Sequence, residues 1–269
     1  MEKRQASKFY PYFDVEEKSV IDKMTGFFNS VVFKQQPLLT EFLDPAQRDI
    51  LRTIAGNDLF MQDFGGYQDA EKKRVYLTED WTNFDLSDYG VTAFSINYPN
   101  KFEKLTHSAI LGSLANSGIE TETFGDIITD GNGQWQFFGK SELTDFFQKE
   151  ITRIGRVKVK VEPVDFRNVI VPEDDSSETS LIATSLRVDA ILSGISNQSR
   201  SQIQNSISTN LVKLNWHGIK DSNIIVKVDD VLSLRHFGRC KVEDIRTTRK
   251  GKYKVVLRLW QTKKHKQRN

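Results

Sequence analysis

The chain has 269 residues, 38% of them hydrophobic, with 38 Lys+Arg against 36 Asp+Glu and one cysteine, Cys240. That length holds two or three domains with separate cores. A single cysteine excludes an internal disulfide and a Cys-rich zinc site, and the lack of any apolar run long enough to span a bilayer excludes a membrane protein, so a cytoplasmic location is expected. The net charge of +2 hides a split: residues 181–269 carry 18 Lys+Arg against 6 Asp+Glu, or +12, whereas residues 1–180 carry 20 against 30, or −10. A concentrated positive segment is the footprint of a surface that neutralises nucleic-acid phosphates.

In chain order, residues 14–33 carry Val20, Ile21, Met24, Phe27, Phe28 and Val31 at helical spacing. Asp44-Pro45 predicts an N-cap with proline at the first helical position, opening a helix over 46–55 that Gly56-Asn57 stops. Short strands are predicted at 59–64 and 74–78, joined through Gly65-Gly66-Tyr67. From residue 90 the pattern predicts strand 91–98, helix 106–117, strands 126–129 and 134–138, helix 142–154 and strand 156–161. Asp130-Gly131-Asn132-Gly133 marks the hairpin between the two middle strands. This β-α-β-β-α-β order predicts a ferredoxin-like sheet, a scaffold on which many RNA-recognition modules stack bases. Trp135 and Phe137 alternate on one of its strands, where they serve either as a stacking pair or as core.

Residues 172–180 are acidic, polar and free of large apolar side chains, and the charge changes sign just after them. The expected organisation is therefore α+β: a mixed helical and strand N-terminal region over 1–85, a ferredoxin-like domain over 86–170, a linker over 171–182, a basic module over 183–262 and a basic tail over 263–269. In the basic module, Arg187-Val188-Asp189-Ala190-Ile191-Leu192 opens one short helix and Ser199 caps another, whose Ile203 and Ile207 form the inward stripe. Arg200 and Gln202 lie off that stripe near the helix start, where free N–H groups also favour a phosphate. Lys213 and Arg235 project from two predicted strands.

Four short patterns here resemble the ribosomal-protein-S-four-type RNA-binding domain: Arg187-Val188-Asp189, Ser199-Arg200-Ser201, Val212-Lys213-Leu214-Asn215 and Asp230-Val231-Leu232. Trp216 and Asp229 stand where that domain usually has glycine, so those turns are expected to be built differently, with Trp216 offering a stacking face. Phe42-Leu43-Asp44-Pro45, Phe64-Gly65-Gly66-Tyr67, Ile96-Asn97-Tyr98-Pro99, Phe124-Gly125-Asp126-Ile127 and Arg235-His236-Phe237-Gly238-Arg239 resemble the bacterial YlmH family from about residue 14 to 260. The resemblance implies a ribosome-associated RNA-binding factor that engages the large subunit carrying peptidyl-tRNA, in quality control of stalled nascent chains. Its partners would be large-subunit rRNA and tRNA, with no membrane or small-molecule substrate. Carried over residue by residue, it implies RNA contacts at Arg187, Ser199, Arg200, Ser201, Gln202, Lys213 and Asn215, with Arg235 and Arg239 second. Ser199 reads equally as a cap and Asn215 as a turn residue.

His107, His217, His236 and His265 show no metal-ligand spacing, and no nucleophile elbow, P-loop or dinucleotide fingerprint appears. No cofactor and no catalysis are expected. The alternatives are an RNA-modifying enzyme, since modules of this type are also found attached to such enzymes, and a protein-interaction adaptor whose acidic body binds protein while the basic module localises it on RNA.

Overall fold

The computed structural model describes residues 2–261, so the basic tail expected at 263–269 lies outside the described residues. The chain divides into two compact units, one of residues 2–10 and 17–173, the other of residues 11–16 and 174–261.

In the first unit, helix α1 (Lys18–Lys34) buries Ile21, Met24, Thr25, Phe28 and Val31 and ends at Gln35 in the left-handed conformation, φ 51°. It begins later than the periodicity predicts because residues 15–17 form a 3-10 turn. Helix α2 (Pro45–Ala55) opens on a reciprocal cap: the Gln47 amide donates to Asp44 Oδ1 at 2.8 Å and the Asp44 amide donates to Gln47 Oε1 at 2.9 Å. Strands β1 (Leu38–Leu43), β2 (Phe60–Phe64) and β3 (Lys73–Thr78) form an antiparallel sheet in the order β1-β3-β2. β1, absent from the sequence reading, supplies Phe42 and Leu43 to the core.

The same unit contains β4 (Val91–Asn97), α3 (His107–Ala115), β5 (Phe124–Thr129), β6 (Trp135–Lys140), α4 (Thr144–Glu150), a small hairpin of β7 (Arg153–Ile154) and β8 (Val157–Lys158), and β9 (Lys160–Val164). α4 is shorter than the helix predicted over 142–154, because residues 153–158 turn back as that hairpin. The four-stranded sheet runs β5-β6-β4-β9, all antiparallel. One face is covered by the helices, where Phe94, Phe137 and Phe147 form a ring cluster with Ile110 and Leu114. Phe137 is fully buried and cannot stack a base, while Trp135 is partly buried against the same core, so the two do not form an exposed stacking pair.

The other face is closed too: Phe138, Ala93 and Ile128 pack with Phe42 and Tyr89, and Phe64, Tyr67, Phe166 and Ile170 lie against them. Gln136 ties residues 166–170 to this face, donating to the Asn168 carbonyl at 3.1 Å and accepting from the Ile170 amide at 3.0 Å. Gly66, at φ +104°, lies so near the Phe138 ring that a Cβ would stand 2.0 Å from it. Tyr67 stacks on Phe138 with centroids 5.2 Å apart and donates its hydroxyl to Asp126 at 2.9 Å. Asp126 also accepts from the Glu71 and Lys72 amides, and burial pushes its carboxyl above the usual range. The Gly65-Gly66-Tyr67 and Gly125-Asp126 motifs thus lock the N-terminal layer onto the sheet.

The second unit is a six-stranded antiparallel sheet with two helices on its inner face. Its elements are β10 (Ser177–Ala183), α5 (Val188–Ser196), α6 (Arg200–Ser208), β11 (Val212–Leu214), β12 (His217–Gly218), β13 (Val231–Leu234), β14 (Gly238–Thr247) and β15 (Tyr253–Gln261), in sheet order β10-β15-β14-β13-β11-β12. Val188, Ile191, Leu192, Ile203 and Ile207 of the helices pack on Val212, Leu232, Cys240, Val242 and Leu257 of the strands. The linker expected over 171–182 is corrected here. Ser177–Ala183 pair residue for residue with Tyr253–Leu259 as an edge strand, and Leu181 and Ala183 turn inward to the core. Composition alone hid this strand, because an edge strand needs only every second side chain to be apolar. Residues 11–16, expected within a single 1–85 region, belong to this unit instead: Asp14 pairs with Lys220 at 3.1 Å, Glu16 with Asn210, and the Phe13 ring lies 5.6 Å from His217.

Candidate RNA interface

The sequence-predicted residues fall into two groups within the second unit. The first surrounds Asp189, which is fully buried at the start of α5. Arg187 grips it in bidentate fashion, Nε to Oδ1 at 3.0 Å and Nη2 to Oδ2 at 2.9 Å. Arg200, from the first turn of α6, donates Nη2 to Oδ1 at 2.9 Å, and Gln204 donates to Oδ2 at 2.8 Å. Burial opposes charge on this carboxyl, but the hydrogen bonds from Arg187, Arg200 and Gln204 outweigh it and hold it at about 2. Two guanidiniums around one carboxylate leave a net positive site. The Arg200 side chain remains 49% exposed and that of Arg187 30%, so both cations are oriented from behind while facing solvent in front.

Ser199, Ser201 and Gln202 sit exposed at the start of α6, beside Arg200. Ser199 and Gln202 close a capping box: the Gln202 amide donates to Ser199 Oγ at 3.3 Å and the Ser199 amide donates to Gln202 Oε1 at 2.8 Å. The Ser199 and Ser201 hydroxyls are 2.9 Å apart. These side chains shape the helix start, and the cations stand beside it.

The second group lies on the outer face of the sheet. Strand alternation sends Val212 and Leu214 to the core and Lys213 away from it, so Lys213 is not part of the two-helix surface. Lys213 stands opposite Ser233, Ser233 opposite Arg239, and Arg239 opposite Trp260, one row across four strands. The Arg239 guanidinium lies 5.8 Å from the centroid of the Trp216 ring, a cation–π pair. Trp260 was missed in the sequence; its signal was the alternation of Arg258 and Trp260 with the buried Leu257 and Leu259.

Asn215 closes its turn, donating to Asp230 at 2.8 Å and accepting from the Val231 amide at 2.8 Å. The turns at the two glycine-less positions keep the left-handed backbone that glycine favours: Asn215 and Trp216 have φ 49° and 68°, and Asp229 has φ 71°. The expectation of a different construction is thereby corrected. The side chains tolerate the strain because hydrogen bonds on both sides fix the hairpin. Arg235 is exposed at the turn between β13 and β14.

Cys240 is buried, and burial pushes its thiol up to about 12, so it is packing rather than a nucleophile. Among the described residues no group of His, Cys, Asp and Glu is placed to hold a metal, and no helix is long and apolar enough to cross a membrane.

Residues 85–168 match the family model described as the putative RNA-binding domain in YlmH. The structure is similar to the cell division protein ylmH from Streptococcus pneumoniae, at 33% identity and a TM-score of 0.52, covering 59% of this chain and 97% of that one. An α+β chain with a basic second unit and an RNA-binding family domain defines a class of nucleic-acid-binding protein. The chain is also 33% identical over 253 residues, 93% of its own length and 98% of the relative's, to the "Ribosome-associated protein quality control protein P2" of Bacillus subtilis (strain 168). The chain belongs to the YlmH family.

Proposed function

We propose that this protein is a non-catalytic RNA-binding factor that associates with the ribosome and acts in quality control of stalled nascent chains. The observation that carries the reading is the nearly end-to-end likeness to a relative named for that role. The geometry supports it from below. The first unit's β5-β6-β4-β9 order is the strand order of a ferredoxin-like sheet, and the second unit's paired helices on a hairpin-rich sheet suit an S-four-type module. Arg187 and Arg200, pre-set by Asp189, capture phosphates, with Lys213, Trp216 and Arg239 on the outer sheet face and Arg235 as further contacts. Recognition of this kind reads RNA shape more than sequence. The partners in this reading are large-subunit rRNA and the tRNA it carries, in the cytoplasm.

Sedimentation of the tagged chain through sucrose gradients of cell lysate, with crosslinking and sequencing of bound RNA, tests the reading. Co-migration with large subunits and crosslinks in rRNA and tRNA are the expected result. Migration only at the top of the gradient, with no rRNA crosslinks, would overturn it.

A further inference from the structure

The region matched to an RNA-binding family, residues 85–168, has both faces of its sheet covered, so bases cannot stack there as they do on open RNA-recognition sheets. We propose that this unit instead docks the ribose–phosphate backbone of RNA on the β7–β8 hairpin and the groove beside it. The inference rests on the RNA-binding reading above and adds a second contact, in the unit that the charge split assigns to the acidic body.

Residues 153–160 read Arg-Ile-Gly-Arg-Val-Lys-Val-Lys, four cations and no acid. Ile154 and Val157 are buried in the helix-side core and anchor the hairpin, while Arg153, Arg156, Lys158 and Lys160 are all exposed. Arg153 and Lys158 are direct cross-strand partners, a like-charge pairing that works against the hairpin. Lys160 is paired with Glu162, but among the described residues no carboxylate pairs with Arg153, Arg156 or Lys158. A chain segment rich in acid thus leaves a repulsive basic cluster unneutralised at this hairpin, which is what an external polyanion relieves.

Beside the hairpin lies a groove of about 570 Å³. Ser108, Ser113, Asn116 and Ser117 line it together with Glu150 and Arg153. Hydroxyls, an amide, one carboxylate and one guanidinium form a mixed donor and acceptor set, with Ala109 and Ile151 supplying the apolar part of the lining. Such a set suits ribose 2′-hydroxyls, which both donate and accept, with the flanking cations on the phosphates.

The test measures the salt dependence of binding of the full chain to purified bulk ribosomal RNA, with duplex DNA as competitor. The triple variant R153Q/R156Q/K158Q is expected to flatten the log–log slope by about 2 to 2.7, three phosphate contacts at about 0.7 to 0.9 each. R156Q alone, at the exposed turn, flattens it by about 0.7 to 0.9 and guards against a folding defect in the triple variant. The charge-conserving R153K/R156K/K158R keeps the slope, and duplex DNA competes poorly. An unchanged slope in the R156Q and triple variants, with wild-type binding intact, would overturn this inference alone and leave the hairpin to an acidic protein. No salt-dependent binding by the wild type would overturn the RNA-binding reading itself.

Discussion

At the scale of single residues, Asp189 organises the candidate interface without touching solvent. Its carboxyl sits at about 2 in the folded chain against an ordinary value of 3.8, so the unfolded state takes up the proton first as pH falls. The stabilisation, about 2 kcal/mol, is whole above about pH 5 and is lost as pH drops towards 2. Asp189→Asn should abolish that acid-dependent step in the melting temperature of the second unit, and a pH series of thermal melts checks this. It should also destabilise the unit at neutral pH by about 3 kcal/mol, because two guanidiniums lose their shared anion. Arg200→Ala and Lys213→Ala should each weaken RNA binding and flatten the log–log salt slope by about 0.7 to 0.9. Slopes unchanged in both variants would remove these residues from the interface. Arg187, Asp189 and Arg200 were legible in the sequence, but Gln204 and the arrangement of the four were not. Ser199 and Asn215 showed their capping and turn roles through residue type and position. The sharing of one carboxylate by Arg187, Arg200 and Gln204 depends on how α5 packs against α6, which no local pattern encodes.

At the scale of elements, the hairpin that presents Trp216 sets turn strain against contact. Trp216 at φ 68° occupies a conformation that costs a non-glycine residue about 1 kcal/mol, while its ring carries the Arg239 guanidinium. Trp216→Gly should therefore leave the melting temperature unchanged or raised while lowering affinity for ribosomal RNA. A variant that melts earlier and binds normally would show the ring to be packing only. Elements with their own periodicity were readable: α2 with its Asp44 cap, and β4, α3, β5 and β6, came close to their observed limits, whereas α4 stops short of the predicted helix and β9 begins later than the predicted strand. Four strands longer than two residues were missed, β1, β10, β14 and β15, and the first two lack such a signature. Leu38–Leu43 does not alternate cleanly, and Ser177–Ala183 owes its strand character to the partner β15.

At the scale of the whole molecule, apolar burial is partitioned: one core serves the second unit, and others serve the first. Scanning calorimetry should resolve two transitions, with Asp189→Asn moving one of them and Gly66→Ala, which drives a Cβ into the Phe138 ring, moving the other. A single transition shifted as a whole by both substitutions would contradict that partition. Charge gave the approximate boundary, since sign and core change within a few residues of one another, but it hid the short N-terminal segment that belongs with the C-terminal unit. That segment has a consequence for synthesis. Glu16 is separated by 194 residues from Asn210, the residue it bonds. At about 5–20 residues per second, a translating ribosome makes the two ends of this contact roughly 10–40 s apart. Residues 11–16 therefore leave the exit tunnel long before their partners exist. The second unit closes only after β15 has been released, and so after every residue of the first unit has already left the ribosome.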